Sequence, residues 1–151
     1  MMSTPSHRYT FPPTHRLKRQ RLIRSLFDRS RPDVHTTAHG CVRALYRWAA
    51  PHAVGHDVPV QVGFAPGRGH PTNVQRTQVR RYLRETYRQH QHALRDALPS
   101  DAPPLIVMIV FRGASNQAAT CIPRHLPRVL ENVAHHLPPH ASATGSVSPG
   151  S

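Results

Sequence analysis

Acidic side chains are scarce. The 151 residues hold 7 Asp+Glu against 20 Lys+Arg, which leaves a formal net charge of +13 and a pI near 11.6. Lysine is nearly missing as well, because Lys18 stands alone and every other fixed cation is arginine. That bias reads chiefly as genomic base composition, although a guanidinium fork also suits bidentate contact with phosphate. No long apolar run occurs. The longest, Leu105 to Phe111, falls far short of the ~20 residues that cross a bilayer, so no membrane span is expected. The first residues, M-M-S-T-P-S-H-R-Y-T-F-P-P, contain no apolar stretch of signal-peptide type, and a cytoplasmic location is the default. Cys41 and Cys121 lie eighty positions apart with no C-x-x-C. Free, mostly buried thiols are therefore expected, with neither a disulfide framework nor a zinc knuckle.

Signatures of protein catalysis are lacking too. There is no G-x-S-x-G, no Walker A and no pair of carboxylates in the sequence, and seven acids are few for a two-metal nuclease site. Of thirteen histidines, His35/His39 and His52/His56 have i, i+4 spacing, but both pairs fall in segments read as loops, without H-E-x-x-H or a nearby third ligand. No metal site is assigned to this chain. What the charge excess does fit is a polyanionic partner, a nucleic acid before an anionic membrane surface.

One part of the excess lies between Pro71 and Leu98, where six arginines face two acids. On a helix, Arg76, Arg80, Arg84 and Arg88 step along one side with Arg81 beside them, while Val79, Tyr82, Leu83, Thr86, Ala93, Leu94 and Ala97 fall on the neighbouring side. Glu85 is the only acid before Asp96, so pairing within the helix cannot neutralise the ridge. Like charges four apart cost a lone helix a few tenths of a kcal/mol per pair. A phosphate backbone would relieve that repulsion, and a solvated surface helix is the plainer alternative.

The remaining elements follow in order. Phe11-Pro12-Pro13 is extended, and Leu22, Ile23, Leu26 and Phe27 mark a short amphipathic helix whose start carries Arg16, Lys18, Arg19, Arg21 and Arg24. Asp28 to His39 reads as a loop. Gly40 to Trp48 alternates as a strand with one wet side, Cys41, Arg43, Leu45 and Arg47 on one face and Val42, Ala44, Tyr46 and Trp48 on the other. A loop at Ala50 to Asp57 precedes a strand over 58–64, whose Pro59 confines it to an edge or a strand start. Pro71 or Thr72 starts the arginine helix. Leu105 to Phe111 is a buried central strand, and Leu126, Val129, Leu130, Val133 and Leu137 give a last helix starting near Leu126, since Pro127 suits only a first turn. The order, three strands and three helices, predicts an α+β fold, a small sheet, expected to hold about four strands in all, packed with three helices, in one unit over 9–137 with disordered ends at 1–8 and 138–151.

Four blocks in order, F-P-P-T-H-R-L-K-R-Q-R-L-I-R-S-L-F (11–27), V-Q-V-G-F (60–64), N-V-Q-R-T-Q-V-R-R-Y-L-R-E-T-Y-R (73–88) and I-V-M-I-V (106–110), resemble the bacterial ribonuclease P protein component. Arg76, Arg81 and Arg84-Glu85 match its "RNR" helix, and Arg80 stands for the usual lysine. Departures are Arg76-Thr77-Gln78 for R-N-R, Gly67-Arg68-Gly69 for S-K-K, and Ile23 where an aromatic is common. The resemblance implies the fold of the second domain of ribosomal protein S5, with a left-handed βαβ crossover around the arginine helix, against the general right-handed rule. It implies a subunit of an endoribonuclease whose RNA component holds Mg²⁺ and hydrolyses the phosphodiester that frees the 5′ leader from precursor tRNA, with no small-molecule substrate. Arg68, Arg76, Arg80, Arg81, Arg84 and Arg88 would dock on the catalytic RNA. Arg16, Lys18, Arg19, Ile23, Phe27, Arg43 and Tyr46 would form a leader-binding cleft, although Phe27 serves equally as a core residue and Tyr46 as cover for the sheet. The alternatives are a ribosome-associated structural RNA-binding protein of the same fold and a DNA-binding regulator. The second lacks a helix-turn-helix partner for its basic helix.

Overall fold

The computed structural model describes residues 11–140. Its centre is the apolar run, which forms β4 (Leu105–Phe111). The sheet order is β1-β2-β4-β3, with β1 at His35–His39, β2 at Val42–Trp48 and β3 at Val60–Ala65. β4 pairs antiparallel with β2 and parallel with β3, so both its edges are hydrogen-bonded and both its faces are covered. A strand without a polar side suits that position. β3 begins just after Pro59 on an outer edge, as the proline requires. The N-terminal segment runs along that edge, where Leu17 N–H donates to the Val62 carbonyl (3.0 Å).

Between the parallel strands the chain crosses through α3 (Asn73–His90) and a one-turn α4 (His92–Arg95). Thr72 caps α3, its hydroxyl accepting from Gln75 N–H while the Gln75 side chain accepts from Thr72 N–H, and two of the helix's unpaired amides are thereby satisfied. Val79, Leu83, Thr86 and Tyr87 are buried, and they pack with α5 (Ala118–His135) on the sheet face formed by Val42, Ala44, Tyr46, Val62, Val107 and Ile109. The opposite face holds a second, smaller core. There Leu22 and Leu26 of α1 (Gln20–Leu26), with Leu17 and Val54, cover Leu45, Ile106 and Met108. Val54 closes α2 (Pro51–Val54). Among the described residues the result is an α+β fold with a four-stranded mixed sheet and five helices, two of them single turns.

Several expectations are corrected. Residues 28–39 are not all loop, because His35–His39 pairs with β2 as a hairpin. Residues 50–57 include the turn α2. The expected wet side of β2 is open only at Arg43: Arg47 is 8% exposed, held by Ser25 Oγ and the Trp48 carbonyl. The last helix begins at Ala118, eight residues before Leu126, and takes Pro123 and Pro127 inside. Each interior proline costs ~3 kcal/mol, but the buried Ile122, Leu126, Val129, Leu130 and Val133 are worth roughly 1.5–3 kcal/mol apiece, enough to keep the helix continuous.

The cysteines are not free, since Cys41 and Cys121 form a disulfide. Separation along the sequence concealed that the β1–β2 turn lies against α5. Nor is all of 138–151 a loose tail, for Pro138 is buried and its carbonyl accepts from Trp48 Nε1 (2.7 Å). The disorder expected at 1–8 and 141–151 lies outside the described residues.

Candidate nucleic-acid interface

Two cationic surfaces arise from this arrangement. The first is a flank of α3. Its buried stripe turns Arg80 and Arg81 outward, with Arg84 half-buried between them and the core. Arg88 pairs with Glu85 (3.0 Å), and Arg80, Arg81 and Arg84 hold no ion pair among the described residues. Arg76 is differently employed, since its guanidinium donates to the His70 carbonyl (2.7 Å) and to Asn73 Oδ1, tying the helix start to the preceding loop.

The second surface is a cleft on the α1 side of the sheet. Two adjoining hollows of about 570 and 660 Å³ share Phe27, Arg29, Arg43 and Arg68 in their walls. Arg31 lines one and Arg112 the other. Phe27 follows α1 and is 48% exposed, so of its two sequence readings the core residue is the one the structure rejects. Arg43 reaches the cleft from β2 and Arg112 follows β4. Arg68 is placed by Gly67, whose φ is +78° and whose missing Cβ would stand 2.1 Å from the Phe111 carbonyl oxygen. Only glycine allows the loop to pass that close. At the rim, hydrogen bonds from Ser30 hold the Asp28 carboxyl below its ordinary value, and the Arg31 guanidinium does the same for Asp33. Both acids stay ionised while Arg29, Arg43, Arg68 and Arg112 hold no ion pair among the described residues.

The expected cleft residues do not all meet. Ile23, on α1, packs half-buried against the smaller core. Arg16, Lys18 and Arg19 line a smaller depression with Gln61 and Val54, toward the other end of the sheet face. Arg16 there lies over Phe11 and donates to its carbonyl, and Arg19 donates to the Ala53 carbonyl (2.9 Å). Tyr46 is on the wrong face. It is 2% exposed and donates to the His136 carbonyl (3.0 Å), because the alternation that sends Arg43 and Leu45 toward α1 sends Tyr46 toward α5. Arg68, grouped by sequence with the ridge, sits in the cleft instead. Arg29, Arg31 and Arg112 were missed, since each lies in a loop where no periodicity marks a direction.

A hollow of about 700 Å³ near Pro51–Pro59 and Leu98–Pro104 has Arg95 as its one arginine, offset by Asp57, and no Phe, Tyr or Trp. It offers a nucleic acid neither charge nor a stacking surface.

The Ribonuclease P family model matches residues 11–134. The chain belongs to that family. Its described residues carry no helix long and apolar enough to cross a membrane, and the family implies an RNA partner. Among solved structures, the ribonuclease P protein of Staphylococcus aureus at 2.0 Å aligns with a TM-score of 0.51 at 14% identity, covering 79% of this chain and 94% of that one. Another structure of the S. aureus protein gives a TM-score of 0.54 at 15% identity over 87% and 98%. At such identities the likeness speaks for the fold. No curated protein matches.

Proposed function

We propose that this chain is the protein subunit of ribonuclease P, which binds the catalytic RNA along the α3 flank and the 5′ leader of precursor tRNA in the cleft. Family membership supports the first half. The observation that carries the second is Phe27, a half-exposed aromatic set among Arg29, Arg43, Arg68 and Arg112, which hold no ion pair among the described residues. Such a pairing of stacking surface and cations suits unpaired nucleotides, because every base offers a π-face and every linkage a charge. The flank of α3 offers cations without an aromatic, which suits a backbone already folded.

Hydrolysis then belongs to the RNA. The RNA would hold the Mg²⁺; among the described residues of this chain no group of three or more His, Cys, Asp or Glu side chains is placed to hold an ion. Glu85 and Glu131 are each engaged by an arginine on their own helix. The protein's part is to raise affinity for RNA and leader, in the cytoplasm where precursor tRNA is processed. A ribosomal role would use the same basic helix but has no use for the cleft.

The test is cleavage of a precursor tRNA by a bacterial ribonuclease P RNA at a magnesium concentration too low for the RNA alone. Added protein should restore cleavage at the mature 5′ end. Binding to the RNA without restored cleavage, using RNA from the same genome, would refute the reading.

A further inference from the structure

The histidines and cysteines that meet at the β1–β2 turn belong to neither cationic surface. Cys121 and His125 lie one turn apart on α5, hence on one face of the helix. His39 and Cys41 flank Gly40, whose φ of +58° makes the turn. A Cβ on Gly40 would stand 2.4 Å from the His125 ring, so the hairpin tip is seated directly against that histidine. His39 Nδ1 and His125 Nδ1 are 2.9 Å apart, and the two cysteines are joined with their Cα atoms 6.4 Å apart. Two elements distant in sequence thus contribute one histidine and one cysteine each to the contact between the hairpin tip and α5.

We propose that the reduced chain binds one Zn²⁺ through His39, Cys41, Cys121 and His125, and that the disulfide is the oxidised, metal-free form of this same site. Two thiolates and two imidazoles are a ligand set that selects zinc. Nitrogens bound to one tetrahedral zinc at ~2.0–2.1 Å stand ~3.3 Å apart, so the histidine pair has only a few tenths of an ångström to open. In the disulfide form only the two imidazoles of this set can ligate, and among the described residues no group of three or more His, Cys, Asp or Glu is placed to hold an ion.

The conversion balances. An external dithiol reductant supplies two electrons and two protons to the Cys41–Cys121 bond and becomes a disulfide itself. Zinc then displaces the two thiol protons. In a compartment that keeps thiols reduced, persistent disulfides are rare. A metal at this site would hold the hairpin to α5 where the disulfide could not.

The probe is Co²⁺ added anaerobically to the full chain after reduction with a phosphine. The expected result is saturation at one equivalent, with tetrahedral d–d bands and a thiolate-to-cobalt charge-transfer band that Zn²⁺ abolishes, and no such bands from the oxidised chain. His39→Ala and His125→Ala, whose intact disulfide and circular dichroism check the fold, should weaken cobalt binding about tenfold or more. The proposal is overturned by the absence of the charge-transfer band in reduced, folded protein. Bands unchanged in both histidine variants, or unfolding on reduction that cobalt does not reverse, overturn it equally.

Discussion

Phe27 and Tyr46 are two aromatics that sequence alone treats alike, and a single physical difference separates them. Phe27 is half-exposed beside arginines, whereas Tyr46 is sealed beneath α5 with its hydroxyl bonded to the His136 carbonyl. Phe27→Ala should therefore weaken leader binding by ~1–3 kcal/mol, the worth of one lost stack, with little change in the melting temperature. Tyr46→Phe should do the reverse, costing ~0.5–1.5 kcal/mol of stability for its hydrogen bond and nothing in leader affinity, as thermal melts and leader titrations would show. Burial, with Arg95 beside it, holds the His15 imidazole below its ordinary value. The unfolded chain takes up that proton more readily, so the group's contribution is complete above about pH 6.5 and is lost as pH falls through the lower folded value. His15→Gln should flatten the fall in melting temperature below about pH 6.5, and a profile as steep as before would contradict this.

Among the elements, α3 carries the most information, and its start depends on one reciprocal cap. Thr72→Ala should cost ~0.5–2 kcal/mol, read by chemical denaturation. Its solvent flank can be tested separately, since Arg80→Ala and Arg84→Ala touch no acid in the described structure. Each should lower the slope of log affinity against log salt by roughly 0.7–0.9 for the catalytic RNA. α3 and β4 were legible in the sequence because their patterns are strong, a helical stripe beginning at a Thr72 cap and an unbroken apolar run. β1 was not. The run H-T-T-A-H has no apolar alternation and becomes a strand by pairing with β2. The first turns of α5 were hidden by Pro123 and Pro127, whose local penalty is outweighed by contacts with parts of the chain far away in sequence. The ridge was legible as periodicity, and Phe27 was singled out by its spacing. The loop arginines Arg29, Arg31 and Arg112 acquire a direction only through tertiary packing.

For the whole molecule, the charge is the governing quantity. Self-repulsion at +13 works against compaction, and three ion pairs among the described residues relieve little of it. The isolated chain should melt less cooperatively at low ionic strength and gain order with sulfate, phosphate or RNA by linkage. A fully cooperative melt at low salt, unchanged by sulfate in circular dichroism, would contradict that. The same charge is divided between two surfaces with different chemistry, and this division is the account's central claim. It is tested most directly by the affinity of the reconstituted holoenzyme for precursor tRNAs with leaders of increasing length, comparing Phe27→Ala/Arg43→Ala with Arg80→Ala/Arg84→Ala. The cleft variant should lose the leader-dependent gain, roughly 5- to 150-fold for ~1–3 kcal/mol, while the ridge variant keeps that gain and is deficient only in assembling with the RNA. Equal loss of the leader-dependent gain in both variants, or its full retention in the cleft variant, would contradict the division.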